Sequence, residues 1–412
     1  MTISPPAKVK ISPENEYQVL ASGIDTLVLA IDIHWKDETF FNQLEEMKAL
    51  AIQFESDHPI QFPGKMLLAS IKPYGRKGYQ WIVENGDFEF SIGRWLKPDS
   101  RPSIMVSIRS EALWREGPLE IVEYIKDTLF LAGAESLLIK PSRVDVCMDI
   151  SFPDNEWNMG LIPLRVTRSR YAAPHFDNVA MTGLSIGKGD IAARLYDKIL
   201  EINKKSKKTW MFDIWDIWDS MAEILKDKKI IRVEGQFRRE ALKELGIDHI
   251  DDLFSHIENL WAYFTQDWLK FQDSPGEHHT MRKTLLWWNI VQNGFLGIQS
   301  PRPLIRCKAI QPRKEQLHAQ TYGTLTSFLA CIHEEKEIPI GSKAGINDLL
   351  YHFDKYSEER GKTDFDVEVD LFDKRAKINK IKAKMHQTHI RRKLLGFPSN
   401  IKPESYQGNE DD

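Results

Sequence analysis

Cysteine is scarce in this chain: Cys147, Cys307 and Cys331 are the three in 412 residues. The count is odd, the spacings are wide and no CxxC pair occurs. That pattern supports neither a zinc ribbon nor a disulfide scaffold. His278-His279 and His386/His389 have no cysteine nearby and no carboxylate at ligand spacing, so they read as surface histidines. No apolar run approaches the roughly 18 residues of a membrane span. The opening MTISPPAKVKISPENEYQ lacks the apolar centre of a secretory leader. A large charge of one sign is also missing, because 56 Lys plus Arg stand against 60 Asp plus Glu, a balance of −4. A uniformly basic nucleic-acid coat is therefore disfavoured, while local basic patches remain open. The turn Gly187-Lys188-Gly189-Asp190 lacks the GxxxxGK[ST] frame of a phosphate-binding loop. The expectation is a cytoplasmic protein in a reducing compartment, without a membrane segment.

The rest of the composition is that of a globular chain, 42% hydrophobic and 28% charged, with 12 Trp and 20 Phe for large cores or stacking surfaces. Its length fits two or three domains, or one large domain with an extension. Residues 1–20 read as a flexible lead-in. Strands are expected at 24–33, 66–71, 80–84, 88–92, 103–108, 143–150, 182–187, 192–198 and 230–238. Asn85-Gly86-Asp87 supplies a hairpin turn. Helical spacing covers 38–54, 119–132, 210–225, 240–245, 250–271 and 280–293. Strands and helices mix without a βαβ rhythm, which predicts an α+β fold with a mainly antiparallel sheet. That sheet domain is placed at 21–275. Residues 276–412 form a mostly helical C-terminal region with a basic segment at 374–393. No internal repeat is visible.

Three of the strands carry one polar face each, because successive side chains alternate across a strand. Arg143, Asp145, Cys147 and Asp149 share a face of the first. Arg194, Tyr196 and Lys198 share one of the second. Arg232, Glu234, Gln236 and Arg238 share one of the third. If the strands are neighbours, these faces pool carboxylates, a tyrosine and several cations. A tyrosine hydroxyl can attack a phosphodiester once its weak nucleophilicity is assisted. Carboxylates bind Mg²⁺ or Mn²⁺, which polarise phosphate oxygens, and Arg or Lys stabilise the developing charge. On alternation alone, a wet outer face of an antiparallel sheet is the simpler explanation of the pattern. Asp145 and Asp149 lie four strand positions apart, roughly 13 Å at about 3.3 Å per residue, too far to share one ion easily. One of them is expected to be an ion-pair or supporting residue, and the pattern does not say which.

The same residues resemble the Rep_trans-type rolling-circle replication initiation factors, a family that includes relaxases of conjugative elements. The resemblance lies in the ordered set RVDVCMDI (143–150), TGLSIGKGDIAARLYDKILEI (182–202), RVEGQFR (232–238) and a Trp pair in RKTLLWWNIV (282–291). It spans roughly residues 22–295. It implies a tyrosine endonuclease that nicks one DNA strand, keeps a 5′-phosphotyrosine link and frees a 3′-OH. By position it implies Tyr196 as nucleophile, Arg194 and Lys198 as phosphate partners, and Asp145, Asp149 and Glu234 as candidate ligands of Mg²⁺ or Mn²⁺. The two-histidine spacing of the HUH nicking superfamily is absent. Three departures from the family pattern stand out: a long stretch from Glu201 to Ile230, Gly235 where a β-branched residue is commoner, and over 100 residues beyond the Trp pair.

Candidate DNA contacts are Lys204, Lys205, Lys207 and Lys208 in a basic loop, Arg232 and Arg238, and Lys382, Lys384, Arg391 and Arg392 in the basic segment. That segment, 374–393, has nine Lys/Arg and no Asp/Glu, and it follows seven acids and two cations at 358–373. The stripe Trp210–Trp218 reads as a helix packed on the sheet rather than a base-stacking surface. The expected function is metal-dependent nicking and strand transfer on double- and single-stranded origin DNA. A homodimer and a separate host helicase are compatible partners. The rival is a non-catalytic origin-binding protein on the same scaffold.

Overall fold

The computed structural model describes residues 16–61, 69–98, 100–217, 227–273, 281–297, 301–307, 321–328, 330–331, 342–361 and 363–399. The chain divides into two compact units, residues 1–306 with 396–400, and 307–395 with 401–412. The division falls beyond residue 275 because Trp287, Trp288, Val291 and Phe295 are buried in the core of the first unit.

The first unit is built on an eleven-stranded antiparallel sheet, as the mixed pattern of strands and helices predicts. Its strands are β1 (Gln18–Trp35), β2 (His58–Ile60), β3 (Ala69–Ile71), β4 (Trp81–Glu84), β5 (Phe88–Ile92), β6 (Ile104–Ile108), β7 (Ala134–Pro153), β9 (Ala172–Asp177), β10 (Ala180–Ile186), β11 (Ile191–Asp197) and β12 (Lys228–Arg238). A separate pair joins β8 (Arg165–Thr167) to β13 (Leu269–Phe271). The order across the large sheet is β2-β3-β4-β5-β6-β1-β7-β12-β11-β10-β9. The two long strands β1 and β7 pair at the centre. Each opens one half of the sheet. The chain leaves, then returns by a meander whose last strand, β6 or β12, pairs with the opener. The topology thus repeats where the residues show no repeat.

Alternation sets the two faces. Leu27, Leu29, Ile31, Val106, Val144, Val146, Met148, Leu195 and Val233 are buried on one face. The same core takes Phe40, Phe41 and Leu44 from α1 (Thr39–Gln53), and Ile121, Val122 and Ile125 from α3 (Pro118–Leu131), which follows α2 (Ser110–Glu116). A second, smaller apolar cluster roofs part of the opposite face. It joins Trp114 of α2 to Cys147 and Ile230 of the sheet. Ile202 reaches it from the π-helical turn Ile202–Ser206 that follows α4 (Lys198–Glu201), and Met211, Phe212 and Trp215 from α5 (Met211–Trp215). The expected basic loop 204–208 is largely this π turn. The Trp-rich stretch packs on the sheet as expected, but its helix stops at Trp215, where Asp216 turns left-handed (φ 55). Residues 218–225 lie outside the described residues, as does part of the strand expected at 66–71.

After β12 come α6 (Arg239–Leu245), α7 (Ile250–Ser255), α8 (Ile257–Ala262) and α9 (Leu286–Asn293). Residues 269–271, expected to be helical, are strand β13. The short α2 and the strands β8 and β9 were not visible in the periodicity, and Pro174 breaks the strand signature of β9. Gly235 stands where it does because a Cβ there would meet the Phe264 ring at 3.0 Å. In the second unit, α10 (Ser342–Glu359) precedes the 31-residue α11 (Asp364–Leu394), which Thr363 and Asp366 cap reciprocally.

Candidate active site

The three polar faces do lie on adjacent strands. Register places His175, Gly183, Tyr196, Arg232, Asp149 and Ala21 in one row across β9-β10-β11-β12-β7-β1. The next row holds Ala173, Ser185, Arg194, Glu234, Cys147 and Gly23. The third carries Ala192, Gln236, Asp145 and Thr26. Asp25 occupies the register shift between Ile24 and Thr26. The wet-face reading fails on burial, since Asp25, Asp145, Asp149, Arg232, Glu234 and Gln236 are all buried.

The buried half of this face is an ion network. Arg232, fully buried, donates from Nε and Nη2 to Asp149 at 2.6 and 2.7 Å and from Nη1 to Asp25 at 2.7 Å. Trp215 Nε1 donates to Asp149 at 2.9 Å. Ser110 Oγ and Trp114 Nε1 donate to Asp25 at 2.8 and 3.3 Å. Burial works against the Asp25 charge, but Arg232, Lys208 and Lys198 hold its carboxyl below the usual carboxylate range. Burial drives the Cys147 thiol well up. These residues stiffen the floor of the site.

The open half faces a cleft of about 750 Å³ lined by Tyr196, Arg194, Glu234, His175, Lys204 and Lys205, among others. The half-buried Tyr196 donates its hydroxyl to Glu234 Oε2 at 3.0 Å. Arg194, exposed at the cleft, donates to Glu234 Oε1 at 2.7 Å and to Gln236 Oε1 at 2.8 Å. Burial and then the Glu234 charge push the Tyr196 phenol well above its ordinary value. Burial, with the charges of Asp25 and Asp145, raises Glu234 against the opposing pull of Arg194 and Arg232. A phenol that resists ionisation thus sits on a carboxylate of increased basicity, an arrangement suited to transferring a proton as the oxygen attacks.

Several expected roles are corrected. Asp149 is held by Arg232 and is no metal ligand in this arrangement. Asp145 is bridged by Arg143, with Nε to Oδ1 at 2.8 Å, and burial raises its carboxyl. Glu234 is taken by Tyr196 and Arg194. Among the described residues no three His, Cys, Asp or Glu side chains converge on a point that suits a metal ion. Asp145, Asp149 and Glu234 therefore do not fit a Mg²⁺ or Mn²⁺ site as they stand. Lys198 is buried and bonded to Glu201 at 2.7 Å, its Nζ 5.5 Å from the Tyr196 ring centroid, so it supports the ring rather than a phosphate. Arg232 and Arg392 are buried and unavailable to DNA.

The remaining candidate cations are at the surface. Lys204 pairs with Asp177, Lys205 is exposed, Lys207 reaches the Asn203 carbonyl, and Lys208 is half-buried. Arg238 is exposed at the end of β12 opposite Arg143, and Lys382, Lys384 and Arg391 are exposed on α11. The residues missed in the sequence are Asp25, His175, Gly183 and Ser185. Asp25 had a signal, an acid inside the apolar run Gly23–Ile33. His175 had none, because β9 itself was not legible.

No family model and no curated protein matches the chain. Among solved structures it is similar to a rolling circle replication initiator protein from Geobacillus stearothermophilus. Identity is 13%, over 68% of this chain and 99% of that one, with a TM-score of 0.39. Among the described residues no helix is long and apolar enough to cross a membrane.

Proposed function

We propose that the chain nicks DNA and transfers the cut strand through a 5′-phosphotyrosine on Tyr196, initiating rolling-circle replication or conjugative transfer of a mobile element. The observation that carries this reading is the Tyr196 hydroxyl bonded to Glu234 at 3.0 Å in a cleft lined by Arg194, Lys204 and Lys205. The ordered motifs that resemble the Rep_trans-type initiators support it independently.

Tyr196 Oη attacks the phosphorus and its proton passes to Glu234, while Arg194 and Lys205 offset charge on the non-bridging oxygens. The P–O3′ bond breaks, the 3′-oxygen takes up a proton, and the 5′-phosphate stays on the tyrosine. The reverse transfer reseals or exchanges the strand. One such tyrosine per cleft leaves the second transfer to a second copy of the chain or to water. Exposed Lys382, Lys384 and Arg391 on α11 serve as duplex contacts, and strand separation falls to a separate helicase.

The test is covalent capture. The full chain is mixed with supercoiled DNA of its own element in Mg²⁺, in Mn²⁺ and in EDTA, then denatured and resolved by electrophoresis. The expected result is protein on a 5′ end with the wild type and none with Tyr196→Phe, which still binds. Binding without an adduct on origin-containing DNA sinks the enzyme reading and leaves the origin-binding one. The EDTA lane reports directly on metal dependence.

A further inference from the structure

On the far side of the cleft from Tyr196 stands a histidine that the nicking scheme does not yet use. His175 lies on β9, the outermost strand of the sheet, in the same row as Tyr196 with only Gly183 between them. Two strand spacings put their backbones ~10 Å apart. Gly183 keeps that interval clear. A Cβ there would stand 3.1 Å from the Leu195 carbonyl, 3.2 Å from Tyr196 Cβ and 3.6 Å from His175 Cδ2. The His175 ring is exposed to the cleft and oriented by Ser185, with Nε2 and Oγ 2.8 Å apart. The nearby acids Asp177 and Glu201 are each bound to a lysine, Lys204 and Lys198.

Phosphoryl transfer places the attacking and leaving oxygens roughly in line on opposite sides of phosphorus. A phosphodiester seated over Gly183 with Tyr196 on one side turns its leaving oxygen toward β9. We propose that His175 is the general acid of the cut, giving its proton to the leaving 3′-oxygen while Ser185 holds the ring. The balance closes on this chain's own groups: the Tyr196 proton goes to Glu234, the P–O3′ pair stays on oxygen, and the His175 proton makes it a hydroxyl. In strand joining His175 takes that proton back as the base. This rests on the proposed nicking activity.

The experiment uses the full chain and a single-stranded oligonucleotide spanning the nick site mapped from the covalent adduct. One version has oxygen at the scissile 3′ position and the other sulfur, whose thiolate leaves without a proton. His175→Ala is expected to cut the oxygen substrate about 10²-fold or more slowly and the sulfur substrate at close to the wild-type rate. His175 is exposed, so the variant should fold. An equal loss on both substrates, or no loss on either, overturns the assignment. Absence of any Tyr196-dependent adduct from the wild type is a different failure, which removes the nicking reading and this proposal with it.

Discussion

Replacing Arg232 with methionine strips both buried carboxylates of the cation bonded to them. Asp149 keeps the Trp215 indole, and Asp25 keeps Ser110 and Trp114, but none of these is charged. Removing one partner of a buried pair costs about 3–5 kcal/mol, because the other charge is left uncompensated. With a urea slope of about 3 kcal/mol per M, the midpoint should fall by roughly 1–1.7 M. Tryptophan fluorescence suits the measurement, since all 12 tryptophans precede residue 306 and report on the sheet unit alone. The pH dependence carries a sign. In the wild type the folded Asp25 value lies below the unfolded one. Its stabilisation is therefore present above the ordinary carboxylate range and lost as pH falls through the folded value. Without Arg232 the largest charge opposing burial is gone, and the folded Asp25 value rises while Lys208 and Lys198 still act on it. The charged form of Asp25 is then less favoured in the fold than in the wild type, and acidification removes that disadvantage. The gap between wild type and variant should narrow from pH 7 to about 4. A double variant, Arg232→Met with Asp149→Leu, should recover part of the loss. A gap below about 1 kcal/mol, or one that widens toward acid, refutes the network as described.

Glu234→Gln keeps the shape of the Tyr196 contact but removes the proton acceptor, so adduct formation should slow by about 10²-fold or more with DNA affinity retained. A rate within twofold of wild type excludes Glu234 as the base. Lys205→Ala should weaken DNA binding across sequences and reduce the slope of log affinity against log salt by about one, whereas Arg392→Ala, at a buried position, should leave that slope alone. Gly235→Val forces a branched side chain against Phe264 and should cost about 1–3 kcal/mol of sheet stability, read from the same fluorescence curves.

Alternation made the polar residues of three strands legible because a strand's two faces can be separated by counting. It could not reveal what covers a face. RVDVCMDI reads as half wet, yet Asp149 and Cys147 lie beneath Trp215 and Met211, which arrive from a segment more than 60 residues later. What the three candidate metal ligands touch was illegible for the same reason. Asp145, Asp149 and Glu234 on one surface suggest an ion, but Arg143, Arg194 and Arg232 lie on that surface too, and their reach is a matter of geometry. Tyr196 and Glu234 were identified together, although their contact depends on the β11–β12 register that pairs Arg194 with Glu234. The proline-containing β9 escaped notice, and His175 with it. Asp25 was concealed by a register shift, which no periodicity anticipates.

Arg232 bonds to a residue that precedes it by 207 positions. A ribosome adding ~5–20 residues per second takes ~10–40 s to cover that interval. Throughout it Asp25 has no guanidinium. A product that ends between Tyr196 and Lys228 carries the tyrosine without Glu234 and lacks the strand that joins it to the centre of the sheet. Under the proposed nicking scheme the nascent chain is inactive, because Tyr196 and Glu234 become neighbours only after the first 234 residues have been made.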